Sequence, residues 1–326
     1  MRDAVGLTTT IPVEALYAAG RRPVDLNNVF IAADDPAGMV EAAEHAGFPR
    51  NMCSWVKGIY SAAHACGVRS VIAVVQGDCS NTHALMEILE SEGVEIIDFA
   101  YPYKRDAALL DDQINRLCSA LGTTRAQAER QKQRLDAVRA LAHEIDRLCW
   151  QEGKATGQEV HLWTVACSDF NGDPEAFREG ASRAIAEYSQ RPAAANLLRL
   201  GYAGVPPIVS DLHSFVRSLG AEIIFSEMQR QFAMPRATDN LVEQYRRYTY
   251  PYDVFYRIAD IVEQCRKRSI AGLIHYVQSF CFRQIQDRLI RERVGLPVLT
   301  LECDRPGPLD GSAKTRIETF VEMLRG

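Results

Sequence analysis

No apolar run in this chain approaches the roughly 18 residues that a membrane-spanning helix requires, so no membrane span is expected. Long Lys/Arg runs are also missing. With 37 basic residues against 42 acidic ones the formal charge is -5, which offers a nucleic acid or an anionic membrane little to hold. The opening stretch, MRDAVGLTTTIPVEALYAAG, has neither the apolar core of a signal peptide nor a targeting pattern, and the expectation is a cytoplasmic protein. Pro-rich, Gly/Ser-rich and low-complexity tracts are lacking, as are short-period repeats, which excludes solenoids and long disordered linkers. The sequence contains no C-x₂₋₄-C pair and no paired-histidine motif, the usual marks of structural zinc. It also contains no G-x-x-x-x-G-K-[ST] phosphate-binding loop.

What is present is enough chain for two domains, since 326 residues exceed the size of one ordinary hydrophobic core. Short β-rich runs alternate with longer stretches of helical period, which predicts an α/β fold of mostly parallel sheets covered by helices. Strands are expected at 29–33, 70–76 and 94–100, and helices at about 55–66 and 82–92. A helical insertion then fills about 104–190. Within it, Leu135, Val138, Leu141, Ala142, Ile145, Leu148 and Cys149 recur at three and four and form one buried stripe, with the charged residues between them on a solvated face. Thr156 and Glu159 have capping-box spacing and open a further helix to about Cys167. The stretch YSQRPAAAN (188–196) is the expected linker, giving domains 1–192 and 193–326. In the second, strands are expected at 197–203, 221–227, 271–278 and 297–302, with a final helix at 314–324.

Nine cysteines in a reducing compartment should be thiols, so packing, metal and catalysis are the readings to weigh. Cys118, Cys149 and Cys265 lie inside helical pattern, and Cys66 precedes the expected C-cap Gly67, so packing in the core suits these four. Cys53, Cys79 and Cys281 differ. Each stands where a loop or strand end enters a helix, and Ser80 or Asn81 could cap the helix after Cys79. In open α/β sheets ligands bind beyond the carboxyl ends of strands, and a helix N-terminus favours the thiolate that binds metal. Taken singly, each could simply pack; their shared placement points to ligation. Cys167 and Cys303 stand at element ends, where packing and ligation both stay open. His83 on a helix and His275 in a strand read as ordinary packing or surface residues. Isolated thiolates from distant loops suit an iron-sulfur cluster better than zinc, and three of them leave one iron of a cube open.

Four stretches carry a family resemblance: GLTTTIPVEALYAAGRRPVDLN, FPRNMCSWVKG, GDCSNTHALMEIL and the block FCFRQIQDRLIRERVGLPVLTLECDRPGPLDGSAKTRIETFVEML. Together they resemble the D-component family of 2-hydroxyacyl-CoA dehydratases, which also takes in benzoyl-CoA reductase subunits and double-cubane cluster proteins. The resemblance spans nearly the whole chain. It implies two Rossmann-like (flavodoxin-like) domains with an oxygen-sensitive cluster, [4Fe-4S] or double-cubane [8Fe-9S], in the cleft between them. The family's three cysteines fall on Cys53, Cys79 and Cys281, the three that position alone selects. It further implies a separate electron-donating activator, an iron-sulfur ATPase, which fits the lack of a phosphate-binding loop.

The chemistry so implied is reductive. In the dehydratases a 2-hydroxyacyl-CoA is reduced to a ketyl radical that expels hydroxide. Double-cubane proteins are homodimers that reduce small molecules, whereas the dehydratases pair two related chains as a heterodimer. TTTIPVE and GDCSNT look more like the double-cubane branch, and a linked second cube would draw on Cys167 and Cys303. Glu14 is expected to act as an acid/base or orienting group, or else as a first-turn carboxylate favoured by the helix dipole. Ser54, Ser80 and Gln278 flank the expected cluster and could donate hydrogen bonds, or cap helices and end strands. The alternative from another class is a two-lobed binding protein without chemistry, which fold alone does not exclude.

Overall fold

A computed structural model describes residues 3–194 and 196–326. Ala195, within the expected linker 188–196, lies outside the described residues. Among the described residues, eight strands form two four-stranded sheets in which every strand pairing is parallel. In the first, β1 (Ala4–Leu7), β2 (Arg22–Asp25), β3 (Ser70–Gln76) and β4 (Glu95–Ala100) stand in the order β2-β1-β3-β4. The second holds β5 (Leu198–Ala203), β6 (Ala221–Ser226), β7 (Gly272–Val277) and β8 (Val298–Glu302) in the order β6-β5-β7-β8. Taking β5 to β8 as counterparts of β1 to β4, the two orders are the same. The expected α/β class, with two Rossmann-like sheets and a helical stretch between them, is what the chain adopts.

By packing, the described residues fall into two compact units of three segments each. One takes the chain up to Ala140, with Ala166–Arg178 and Met234–Asp253; the other takes Leu141–Val165, Glu179–Ala233 and Val254–Gly326. The expected strands of the second half all form. Both strands before residue 29 escape the pattern, because four-residue β1 and β2 are too short to display a period. Pro23 sits in β2, an edge strand, where a missing backbone N–H costs the ladder nothing. The expected strand at 29–33 is a correction: those residues belong largely to the helix Leu26–Ile31. Asp25 closes β2 and caps that helix, its carboxylate accepting from the Asn27 N–H at 3.0 Å, so the chain has no room to extend again.

The long helix Arg125–Trp150 buries Leu135, Val138, Ala142, Ile145, Leu148 and Cys149 as the spacing predicts, while Leu141 of the same expected stripe is only half-buried. Its charged residues are not all solvated, however. Lys132 and Arg139 are buried, the first bonding Asp136 at 2.6 Å and the Thr238 carbonyl at 2.7 Å. The capping box also forms, with the Thr156 N–H on Glu159 Oε2 at 2.8 Å and the Glu159 N–H on Thr156 Oγ1 at 3.2 Å.

A buried ion pair organises the C-terminal unit. Glu227, fully buried at the end of β6, accepts from Arg257 Nε and Nη2, both at 2.9 Å, and from the Gly204 N–H at 3.1 Å. Burial alone would raise the Glu227 carboxyl, but the Arg257 guanidinium overcomes it and holds the group below its usual range. This lashes the β5 exit, the β6 exit and the helix Val254–Lys267 to one another. Arg257→Leu should therefore lower the unfolding free energy by about 3–5 kcal/mol in denaturant titrations, because it strands a buried carboxylate.

Candidate active site

In each sheet the chain leaves the first strand in one direction and returns past it to the third. The crevice between β1 and β3, and likewise between β5 and β7, is thus a topological switch point. Cys79 lies in the loop after β3 and Cys281 in the loop after β7, so each half carries a cysteine beyond the carboxyl end of its own switch-point strand. The two positions correspond.

The Cys79 loop is fixed on several sides. Gly77 has φ 97°, and a Cβ there would lie 2.8 Å from Pro251 Cβ and 2.9 Å from Tyr101 Cβ, so only glycine lets the strand exit here. Asp78 accepts from the Tyr250 hydroxyl at 3.2 Å and the Thr82 hydroxyl at 3.4 Å. The Cys79 sulfur accepts the Asn81 N–H at 3.4 Å. Capping of the helix Asn81–Ser91 thus falls to the thiol; Ser80, expected as one possible cap, makes no side-chain cap bond and is exposed. A sulfur already directed at helix N–H groups is where negative charge on a thiolate is best tolerated.

Cys53 is the N-cap residue of the helix Ser54–Cys66, half-buried, with Ser54 buried behind it. The loop that delivers it is pinned by Lys57, whose Nζ bonds Glu44 Oε1 at 2.7 Å and the Arg50 carbonyl at 3.2 Å. Cys281, also half-buried, enters a helix less directly than the sequence suggests. A turn closed by the Cys281 N–H on the Gln278 carbonyl at 3.2 Å and a short 3₁₀ turn at Gln284–Gln286 precede the helix Asp287–Arg293. Phe280 beside it holds φ 64°, an unusual conformation for a side chain of that size. Ser279 N–H and hydroxyl bond Asp304 Oδ1 at 2.7 Å and Glu302 Oε1 at 3.0 Å, fixing the loop onto the end of β8. Phe280 and Phe282 on either side of the thiol are exposed.

The sequence of residues 8–324 matches the family described as 2-hydroxyglutaryl-CoA dehydratase, D-component. The chain belongs to that family. None of the functionally curated proteins matches it. Among solved structures, the laminin-binding protein Lbp of Streptococcus pyogenes is similar at 10% identity and a TM-score of 0.22, over 99% of this chain and 100% of that one. A likeness that weak carries no argument about fold or function.

The other cysteines of this D-component sort by burial. Cys118, Cys149 and Cys265 are buried as expected, and burial pushes the Cys265 thiol up to about 12. Cys66 is a correction, because it is exposed in the last turn before Gly67 rather than packed in a core; Gly67 does cap the helix, at φ 57°. Cys167 is almost completely buried in a 3₁₀ turn, and burial pushes its thiol up to about 12. Cys303, half-buried at the end of β8, is pushed up to about 11 by burial and then by Asp310 and Asp304.

Glu14 is fully buried. Its Oε1 accepts from Arg139 Nη2 at 2.8 Å and Gln244 Nε2 at 2.7 Å, and its Oε2 from the Tyr245 hydroxyl at 2.8 Å. Burial works against the charge on Arg139, but Glu14 outweighs it and raises that guanidinium above its ordinary value. Gln278 is buried at the end of β7, donating to the Tyr276 hydroxyl at 2.9 Å. His83 bonds the Val75 carbonyl at 2.7 Å and His275 bonds Asp287 at 2.6 Å, so both serve local packing. Among the described residues, no group of three or more His, Cys, Asp and Glu side chains is gathered in a way that would hold a single metal ion.

Thiol reactivity should follow this division. With anaerobic, chelator-stripped protein at pH 8, iodoacetamide followed by peptide mass spectrometry is expected to label Cys53, Cys66, Cys79 and Cys281 well before Cys167 and Cys265. The latter two stay neutral until the pH nears about 12.

Proposed function

We propose that this D-component is an iron-sulfur-dependent 2-hydroxyacyl-CoA dehydratase subunit whose cluster is held by Cys53, Cys79 and Cys281. The observation that supports it most is the correspondence of Cys79 and Cys281, each beyond the switch-point strand of a sheet with the same strand order, in a chain of this family. The donor set fits the group. Three half-buried thiols, one already accepting a helix N–H, are the soft ligands that such a cluster takes. When bound, such a cluster supplies a single low-potential electron for reductive elimination of the 2-hydroxyl group.

This chain's own residues would then position and protect. Gly77, Asp78 and Ser279 fix the two loops, while the Asn81 N–H supports negative charge on the Cys79 sulfur. Glu14 we assign to orientation rather than proton transfer. Both its oxygens are engaged, and it locks the first turn of the helix Val13–Ala18, where the sequence placed it, to the helices Arg125–Trp150 and Leu241–Arg247. Ser54, Ser80 and Gln278 remain candidates for hydrogen bonds to sulfur or substrate. The electron donor would be a separate iron-sulfur ATPase, and the assembly a homodimer or a heterodimer with a related chain.

The double-cubane reductase is the second reading, and it needs ligands beyond the three. Cys303 is the better placed of the spare cysteines, whereas burial of Cys167 weighs against it. A two-lobed binding protein without chemistry is the third, and it predicts a colourless, iron-free, folded protein.

Anaerobic isolation with iron analysis separates all three. About four irons per chain and a brown absorbance near about 400 nm are expected. Cys53→Ala, Cys79→Ala or Cys281→Ala should each lower iron strongly while Cys118→Ala leaves it intact. Turnover with ATP should require an added iron-sulfur ATPase. Normal iron in all three of the first variants would refute the site. About eight irons in a homodimer, falling towards four in Cys303→Ala, would establish the double-cubane reading instead.

A further inference from the structure

The parallel register of β7 and β8 ends at the pair Val277 and Glu302. Past it, Gln278 leads into the loop of Cys281, and that cysteine stands where two turns of the loop meet. Its N–H closes the first turn on the Gln278 carbonyl at 3.2 Å, and its own carbonyl accepts the Gln284 N–H at 2.9 Å to close the second. Backbone bonds of this kind shape the loop from within and leave its place on the sheet to be fixed by other groups.

Side chains at the end of β8 fix it. Glu302 Oε1 accepts the Ser279 hydroxyl at 3.0 Å and Glu302 Oε2 accepts from Gln284 Nε2 at 2.7 Å, so that one carboxylate holds a residue on each side of the thiol. Asp304 Oδ1 adds the Ser279 N–H at 2.7 Å. Farther along, Gln286 Oε1 accepts from Arg257 Nη1 at 2.9 Å and Asp287 bonds His275 at 2.6 Å, which tethers the end of the loop to the helix Val254–Lys267 and to β7. The bonds of Glu302 lie at the surface and each is modest; what counts is that they fall on both sides of one residue. Between them Phe280 holds φ 64°. A left-handed backbone is unfavourable for a residue with a side chain, and it persists only where the surroundings overdetermine it. Packing does not supply that constraint here, because Phe280 is 70% exposed. Hydrogen bonds from Glu302 and Asp304 to the flanking residues do.

We propose that Glu302 is a positioning residue for Cys281, its two carboxylate oxygens clamping the turns that meet at the thiol and so fixing the sulfur for ligation. The proposal deepens the reading above and rests on it for Cys281 as a cluster ligand; the clamp itself does not need the cluster. It acts through hydrogen bonds rather than through charge. An amide at this position offers an oxygen to the Gln284 amide and an N–H to the Ser279 hydroxyl, which accepts as well as donates. Glu302→Gln therefore keeps both contacts without the charge, whereas Glu302→Ala loses both.

The test uses anaerobically isolated full-length protein, as isolated and after stripping with a chelator. In the stripped protein, hydrogen–deuterium exchange of the peptide covering 278–286 should be about tenfold faster in Glu302→Ala than in wild type, as expected for lost hydrogen bonds to a charged group, with the melting temperature unchanged. In the iron-loaded protein, iron loss to bathophenanthroline should likewise be about tenfold faster. Glu302→Gln should restore most of both effects. Glu292→Ala, which removes a carboxylate bonded to Arg288 on the following helix, should change neither. Exchange or iron loss that is the same in wild type and Glu302→Ala would overturn the assignment, as would a Glu302→Gln protein that behaves like Glu302→Ala. If exchange responds as expected but the protein as isolated carries no iron, the cluster reading falls and the clamp on the loop stands. If iron is bound and depends on Cys281 while exchange ignores Glu302→Ala, the clamp falls and the cluster reading stands.

Discussion

Parallel pairing is the constraint on which everything else in this chain rests. When all strands of a sheet point one way, each crossover must return the chain to the same starting edge, and every covering helix runs opposite to the strands. All strand exits and helix N-termini within a unit therefore gather along one edge. The polypeptide needs no further device to bring reactive groups to that edge, only residues of the right type in the exits. Here the exit of β3 carries Cys79, the exit of β7 carries Cys281, and the helix leading into β3 begins at Cys53. Repetition of one strand order in both sheets means that a single physical rule, the switch point, accounts for two of the three thiols.

An edge of loops is also the least constrained part of such a fold, and the chain spends buried charge to stiffen it. Glu14 with Arg139 in one unit and Glu227 with Arg257 in the other are pairs removed from water, each carboxylate in the first turn of the helix that follows a strand. Against a hydrophobic replacement such pairs add little stability, since desolvation offsets most of their attraction. What they add is geometry. A carboxylate that takes three hydrogen bonds from guanidinium, amide, hydroxyl or backbone N–H groups, as each of these does, is held in one arrangement, and the helix turn that carries it inherits that arrangement.

The sequence revealed the sheet interiors better than the sheet edges. Strands β3 to β8 are five to seven residues of mostly branched and aromatic side chains, and each was legible as a run. VGL in β1 and RPVD in β2 are too brief to carry a period, and VFIAA has strand composition yet forms helix because Asp25 caps it. Composition competed with capping there, and capping won. Arg139 was hidden for a different reason: its partner Glu14 lies 125 residues away, and no local pattern announces a pairing over that distance. Cys66 failed more simply, since the last turn of a helix can face either way. The capping cysteine Cys79 was legible because strand end, glycine and helix start fall within a few residues of each other.

The same arrangement also explains why a largely apolar groove can open at the surface, between the helices Ser54–Cys66 and Asn81–Ser91, without weakening the core. Helices that enter and leave one strand are neighbours on one face, and their first turns diverge where the strand exit passes between them. Small residues at the opening leave space that longer ones would fill: Ala84 on the second helix, and Ala46 and Gly47 in the turn that ends the helix Pro36–His45. The void is thus a feature of the rim, outside the tightly packed layer formed by Leu85, Leu89 and β3.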